Sequence, residues 1–334
     1  MLARLAENLF WAGRYLERAE DTTRLVDVTY HTLLEAREGE VERSWEQLLE
    51  MLHLEEAYGE APIHPHEVVR FLVLERAQPS SIIASVASAR ENIRSVRELV
   101  SSELWQAVNE LHLLLRSRDH YEELADQPFQ LFDDIRRMCM TVAGVSAETM
   151  PRDEGWQFMM LGRMLERAEM TCRLIDVRYA QLAVIETTSR TSAPIDADVT
   201  GGAHREDLHQ WVALLKSASA FEAYRRRYRS SMDPADVVEF LLLEEDLPRS
   251  VLYSLTEAMA LLEALTDGRA SRAARLLGLA ASSLRYRDIG ELFAEGLHDH
   301  LDDMQRRVGH VAEAVANEFF RHAPVGTMHA IAQG

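Results

Sequence analysis

The side chains of this chain with the most chemical potential are paired carboxylates set among arginines. Glu17 and Glu20 lie in "GRYLERAEDTTRLVDVTY" (13–30), and Glu166 and Glu169 lie in "GRMLERAEMTCRLIDVRY" (162–179). Thirteen of the eighteen positions are identical, at a constant offset of 149. Glutamates three apart share a helix face, an arrangement suited to acid–base chemistry or to carboxylate-bridged metals. Each pair, however, is followed four residues on by an arginine, Arg24 or Arg173. A guanidinium there stands where a metal would sit and opposes the rise in pKa that a catalytic acid needs. A di-metal bundle would also need two Glu-x-x-His motifs on facing helices, and neither repeated stretch carries one; the candidate Glu295 with His298 lies elsewhere in the chain. The reading is therefore no metal, no cofactor and no recognisable catalytic constellation.

At 100° per residue, Gly13, Glu17, Glu20, Arg24 and Asp27 form one stripe beside an apolar stripe centred on Leu16. Gly162, Glu166, Glu169, Arg173 and Asp176 repeat it, whereas Arg14, Arg18, Arg163 and Arg167 point to a different side. The far side of the first helix carries Phe10, Trp11, Tyr15, Leu25 and Val28. A helix apolar nearly all round is a buried central helix, and charges on it are costly unless paired. Pairs within the helix are available, Glu20 with Arg24 and Arg24 with Asp27, and Glu–Arg forks between two such helices suit the planar guanidinium. Two readings stand side by side. The ridges pin the register of two helices, or they line a cleft for a charged ligand held by Glu17, Arg18, Glu20, Arg24, Glu166, Arg167, Glu169 and Arg173.

The elements that must carry these residues are helices throughout. Glycine and proline are sparse, at 15 and 9, and the abundant Ala, Leu, Glu and Arg are strong helix formers. The fold class is all-α, with helices predicted over 2–36, 44–54, 65–77, 79–101, 101–117 and 128–146. In the second half they are predicted over 152–185, 205–228, 234–245, 248–266, 270–282 and 288–322. A second repeat, "EVVRFLVLERAQPSSIIASV" (67–86) with "DVVEFLLLEEDLPRSVLYSL" (236–255), has an offset of 169. The chain thus divides into helical repeats at 1–150 and 151–334. We expect them to form one compact pseudo-two-fold domain, with the two long helices side by side and a mobile Ser/Thr/Pro/Gly-rich loop near 186–204.

A formal charge of −19 argues against nucleic acid, which needs a basic face. No apolar run approaches a bilayer span, so no membrane partner is expected. The two cysteines, Cys139 and Cys172, read as buried, reduced thiols of a cytoplasmic protein. There is no glycine-rich phosphate loop.

With these residues in view, the chain resembles the bacterial alpha-E family, an all-helical domain named for its Glu-Arg motif. "ENLFWAGRYLERAEDTTRLVD" resembles its N-terminal signature, and "ARENIRSVRELVSSELWQAVNEL" (89–111) its second. The resemblance covers essentially the whole chain. It places Glu17, Arg18, Glu20, Arg90, Asn92, Arg94, Trp105 and Asn109 at characteristic positions, without roles. It implies a circularly permuted ATP-grasp protein and a transglutaminase-like protein as partners, in a peptide-ligase or peptide-modifying system. Arg90, Arg94 and Arg97, at steps of four and three, offer a carboxylate or phosphate grip. The positions 169 residues beyond Ala89–Asn92 read Ala258-Met259-Ala260-Leu261, so any such site belongs to the first half alone.

Overall fold

The computed structural model describes residues 1–33, 40–117, 124, 128–191, 210–229 and 232–321. The chain is all-α, and no strand occurs among the described residues. The first half comprises α1 (Ala3–Leu33), α2 (Glu40–Leu52), α3 (Glu55–Tyr58), α4 (Pro65–Leu74), α5 (Ile82–Ser95), α6 (Ser102–Ser117) and α7 (Pro128–Thr149). The second comprises α8 (Glu154–Thr191), α9 (210–217), α10 (Phe221–Tyr228), α11 (Pro234–Leu243), α12 (Val251–Thr266), α13 (Arg272–Arg285), α14 (Ile289–Glu295) and α15 (Leu297–Val315).

Helices α1 and α8 make the most extensive contact in the molecule. Each is then flanked in the same way. Helix α5 packs on α1 and α12 on α8, α7 packs on α1 and α15 on α8, and α6 and α13 bridge the flanking pairs. The turns that set up the flanking helices are matched as well. Ser81 caps α5 by accepting from the Ala84 amide at 3.2 Å, and Ser250 caps α12 by accepting from Tyr253 at 3.0 Å. The Ser81 and Ser250 hydroxyls donate back to the Glu75 and Glu244 carbonyls, which ties each cap to the end of the preceding helix. Trp45 and Trp211 are both buried, beside α1 and in α9.

Several predicted elements end differently, for local reasons. The single helix expected over 205–228 breaks between α9 and α10, where Ser219 adopts φ +52°. The one expected over 288–322 breaks at Gly296, whose φ of +105° suits glycine. A π turn, Ala316–Phe320, then brings Phe320 onto Phe10 and Phe158. Helix α5 stops at Ser95 and is followed by a 3-10 turn, Arg97–Leu99. Helix α8 continues to Thr191, so 186–191 is helical rather than part of the expected loop, whose remainder lies outside the described residues. The C-terminal tail after Arg321 lies outside them too.

Candidate functional site

The central helices cross at two glycines. A Cβ on Gly13 would lie 1.9 Å from the Met159 carbonyl oxygen, and one on Gly162 would lie 2.1 Å from that of Phe10. Only glycine fits either place, because the opposing atoms are backbone and cannot swing aside. The two backbones are therefore in contact, and any side chain flanking the glycines reaches the other helix.

The charged residues use that proximity reciprocally. Arg14 donates from Nε to Glu166 at 2.5 Å and from Nη2 to Glu169 at 2.7 Å, and Arg18 Nε donates to the other Glu166 oxygen at 2.6 Å. In the opposite direction, Arg163 donates to Glu17 at 2.5 Å and to Glu20 at 3.0 Å, and Arg167 donates to Glu17 at 2.5 Å. Within each helix Arg24 donates to Glu20 at 2.8 Å and Arg173 to Glu169. Arg14, Arg18, Arg163 and Arg167 thus do not form the separate face expected of them. A helical wheel turns them away from the ridge of their own helix, but the close crossing points them at the ridge of the other.

One member has no charged counterpart. Arg249, in the turn before α12, donates to Asp21, donates to Glu20 at 2.5 Å and lies 3.5 Å from Glu17. At the sequence offsets of 169 and 149, Arg249 corresponds to Ser80 and Asp21 to Met170. Sequence reasoning passed over both residues. The signal was present as one of the few mismatches in the repeat, Asp21 against Met170, and the Arg/Ser mismatch in the "LPRS" and "QPSS" turns.

Burial pushes the Glu17 carboxyl upward, but Arg163, Arg167 and Arg249 outweigh it and hold the group well below the usual carboxylate range. Glu166 is likewise pushed up by burial and drawn down overall by Arg14 and Arg18. Asp21 moves the other way. Burial, helped by the charges of Glu17 and Glu20 and opposed by Arg249, raises it to about 6. Glu17 is fully buried with an arginine on each oxygen, an arrangement that holds a fixed charge and leaves no proton to exchange near neutral pH. Beside the lattice a cavity of about 20 Å³ is lined by Gly13, Glu20, Cys139, Ser146, Met159 and Arg163, room for about one water. Cys139 and Cys172 are buried, and burial pushes both thiols up, away from the nucleophilic thiolate.

The outer ends of the ridges take other partners. Asp27 meets His31 at 3.1 Å and accepts from Arg136 at 3.3 Å, in place of the expected pairing with Arg24. Asp176 meets His298 at 2.7 Å, while Glu295 accepts from Arg287 at 2.6 Å, so the Glu-x-x-His pair is divided between two separate ion pairs. Among the described residues no group of three or more His, Cys, Asp or Glu side chains gathers as a metal site would.

A second cluster forms where α5 meets α6. Arg90 donates from Nε to Asn109 at 2.8 Å and from Nη1 to Glu91 at 2.7 Å, and Arg94 donates to Glu91 at 2.7 Å. The Trp105 ring lies 5.2 Å from the Arg90 guanidinium and 5.9 Å from that of Arg97. Arg97 reaches it from the 3-10 turn, where it also donates to Ser102, and not from the face of α5 that was expected to carry it. Asn92, about 200° round α5 from Arg90, is half-buried on another side. The candidate residues therefore fall into two groups, the lattice on α1 and α8 and the Arg90 cluster on α5 and α6.

This chain belongs to the Alpha-E family, described as a predicted alpha-helical domain with a conserved ER motif, whose pattern matches residues 1–320. The repeated Glu17-Arg18 and Glu166-Arg167 of the lattice are such Glu-Arg pairs. Uncharacterised proteins from Mycobacterium bovis and Mycobacterium tuberculosis are 25% identical over 325 residues, covering 90% of this chain. The chain spans about a third (34%) of the length of these curated relatives. No solved structure matches. No helix among the described residues is long and apolar enough to cross a membrane.

Proposed function

We propose that this chain is a non-catalytic helical partner in a bacterial ATP-grasp-linked peptide-ligase or peptide-modifying system, with its Glu/Arg lattice fixing the shape that a partner recognises. The observation that carries this reading is the full mutual occupation of the lattice. Each central glutamate, Glu17 and Glu166, has both oxygens on arginines of the opposite helix. Such a network supports the register-pinning role over a ligand cleft along the ridges, and it disfavours Glu17 or Glu166 as the acid or base of a stand-alone enzyme. In the mycobacterial relatives the matched region is about a third of a longer polypeptide, which fits a module that works beside other domains. The ATP-grasp and transglutaminase-like partners come from the family resemblance.

The reading predicts that the tagged chain co-purifies with a circularly permuted ATP-grasp protein of the same organism and shows no turnover alone. Failure to form a complex with that protein or with the transglutaminase-like protein, with and without ATP and Mg²⁺, would overturn it.

A further inference from the structure

The contact of α5 with α6 carries polar chemistry that the accessory role and the lattice leave unused. From α5 come Arg90 and Arg94, and from α6 come Trp105, Asn109 and His112, at steps of four and three along one stripe. Glu91 shows how an anion is held there. Its two oxygens are taken by two different guanidiniums, Oε1 by Arg90 and Oε2 by Arg94, each at 2.7 Å. That is the footprint of a carboxylate, one oxygen to each donor. The Glu91 side chain is itself 52% exposed, so solvent reaches the grip and an outside carboxylate can replace it. Trp105 lies beneath the Arg90 and Arg97 guanidiniums as a platform, and Asn109 holds Arg90 by its Nε. One turn further along α6, His112 is 9% exposed and its buried Nδ1 has no hydrogen-bond partner.

The second half builds the equivalent helix contact without any of this. At the offset of 169, Arg90 corresponds to Met259, Trp105 to Ala274, Asn109 to Gly278 and His112 to Ala281. The Met259 methyl lies over Gly278, 2.9 Å from where a Cβ would stand, at the place where Arg90 meets Asn109. Helices α12 and α13 therefore achieve through a methionine and a glycine what α5 and α6 achieve through an ordered arginine and an amide. Desolvating polar groups carries a cost, greatest where one is left unpaired, and the fold does not require it at this contact.

We propose that the α5–α6 face is a binding site for the side-chain carboxylates of an acidic peptide segment. Arg90 and Arg94 form the grip, Trp105 the platform, and Glu91 an internal stand-in that the incoming carboxylate displaces. The proposal rests on the accessory reading for its biological setting and names the chemistry by which a partner is recognised.

Fluorescence anisotropy with a labelled hexaglutamate peptide tests it, with hexaglutamine and inorganic phosphate as comparisons at constant ionic strength. Hexaglutamate should bind and hexaglutamine should not. Arg90→Met, which installs the residue the second half already packs, should weaken binding at least about tenfold. Arg94→Ala, at a 60% exposed side chain, should weaken it several-fold with the melting temperature unchanged. Glu91→Gln should tighten it by removing the competitor. Unchanged affinity in both arginine variants, no gain in Glu91→Gln, or phosphate bound more tightly than the peptide would each overturn the assignment. Complex formation with the ATP-grasp protein that survives Arg90→Met and Arg94→Ala would remove this face from partner recognition and leave the accessory reading standing. Peptide binding without any such complex would do the reverse.

Discussion

Arg249 closes on Asp21 across 228 residues of sequence, joining the turn before α12 to the middle of α1. Its counterparts under the internal repeat are neutral, Ser80 in the first half for Arg249 and Met170 in the second for Asp21. The pair is complete as it stands, and removing either member alone leaves the other largely buried without its main partner.

The corresponding single substitutions should therefore be costly and the double substitution mild. Arg249→Ser strands Asp21 beside Glu17 and Glu20, and Asp21→Met leaves Arg249 with fewer acceptors. Chemical denaturation of the two singles and of Asp21→Met/Arg249→Ser should give a coupling energy of about 2 kcal/mol. Strict additivity would mean that the two residues stabilise the fold independently.

Partner number and burial grade the other lattice positions. Glu17→Gln leaves Arg163 and Arg167 buried without their shared carboxylate, and should cost about 3 kcal/mol or more. Arg18 is partly exposed and Glu166 keeps Arg14 when it is removed, so Arg18→Ala should cost about 1 kcal/mol. Urea unfolding of both variants decides the order, and equal losses would contradict the burial argument.

Glycine substitutions separate the crossing from ordinary helix positions. Gly13→Ala and Gly162→Ala each drive a methyl into a carbonyl of the opposite helix and should destabilise by about 3 kcal/mol or prevent folding. Gly144, in α7, has nothing within 4 Å of an added Cβ, so Gly144→Ala should stabilise by about 0.5–1 kcal/mol. Thermal melts of the three variants should split in opposite directions about the parent.

Asp21 should leave its own mark on the pH profile. Its folded pKa is raised to about 6 from an ordinary 3.8, so its contribution is full below the lower value and is lost as pH rises through the upper one. Glu17, Glu20 and Glu166 are held low. Their contribution is present above the ordinary carboxylate range and is lost as pH falls through the depressed values. The melting temperature of the parent minus that of Asp21→Asn should accordingly fall between pH 4.5 and 7.5. Parallel curves across that range would exclude the titration.

The helical class, the dominance of α1 and α8 and the Glu20–Arg24 pair were all legible in the sequence, because periodicity reports which face of a helix is buried. What periodicity does not report is the distance to the neighbour. Gly13 was read as one more member of a polar ridge, and its role as the contact point explains why Arg14 and Arg18 reach Glu166 instead of pointing elsewhere. The breaks at Ser219 and Gly296 depend on single backbone dihedrals, and one of them falls on a residue type that carries no turn signal of its own strength. Arg249 lies in a turn, where no periodicity exists to place it.

The crossing also sets an order of events during synthesis. Arg14 and Glu166 are 152 residues apart, so at roughly 10 residues per second α1 exists for about 15 s before its partner is made. Through that interval Arg14, Arg18 and Glu17 are without their partners from α8, and of the central charges only Glu20 has a partner on its own helix, Arg24. Contacts this distant in sequence form late and slow the final step. When α8 arrives, those charges are taken up in closing the crossing, and neither half of the chain can complete its centre without the other.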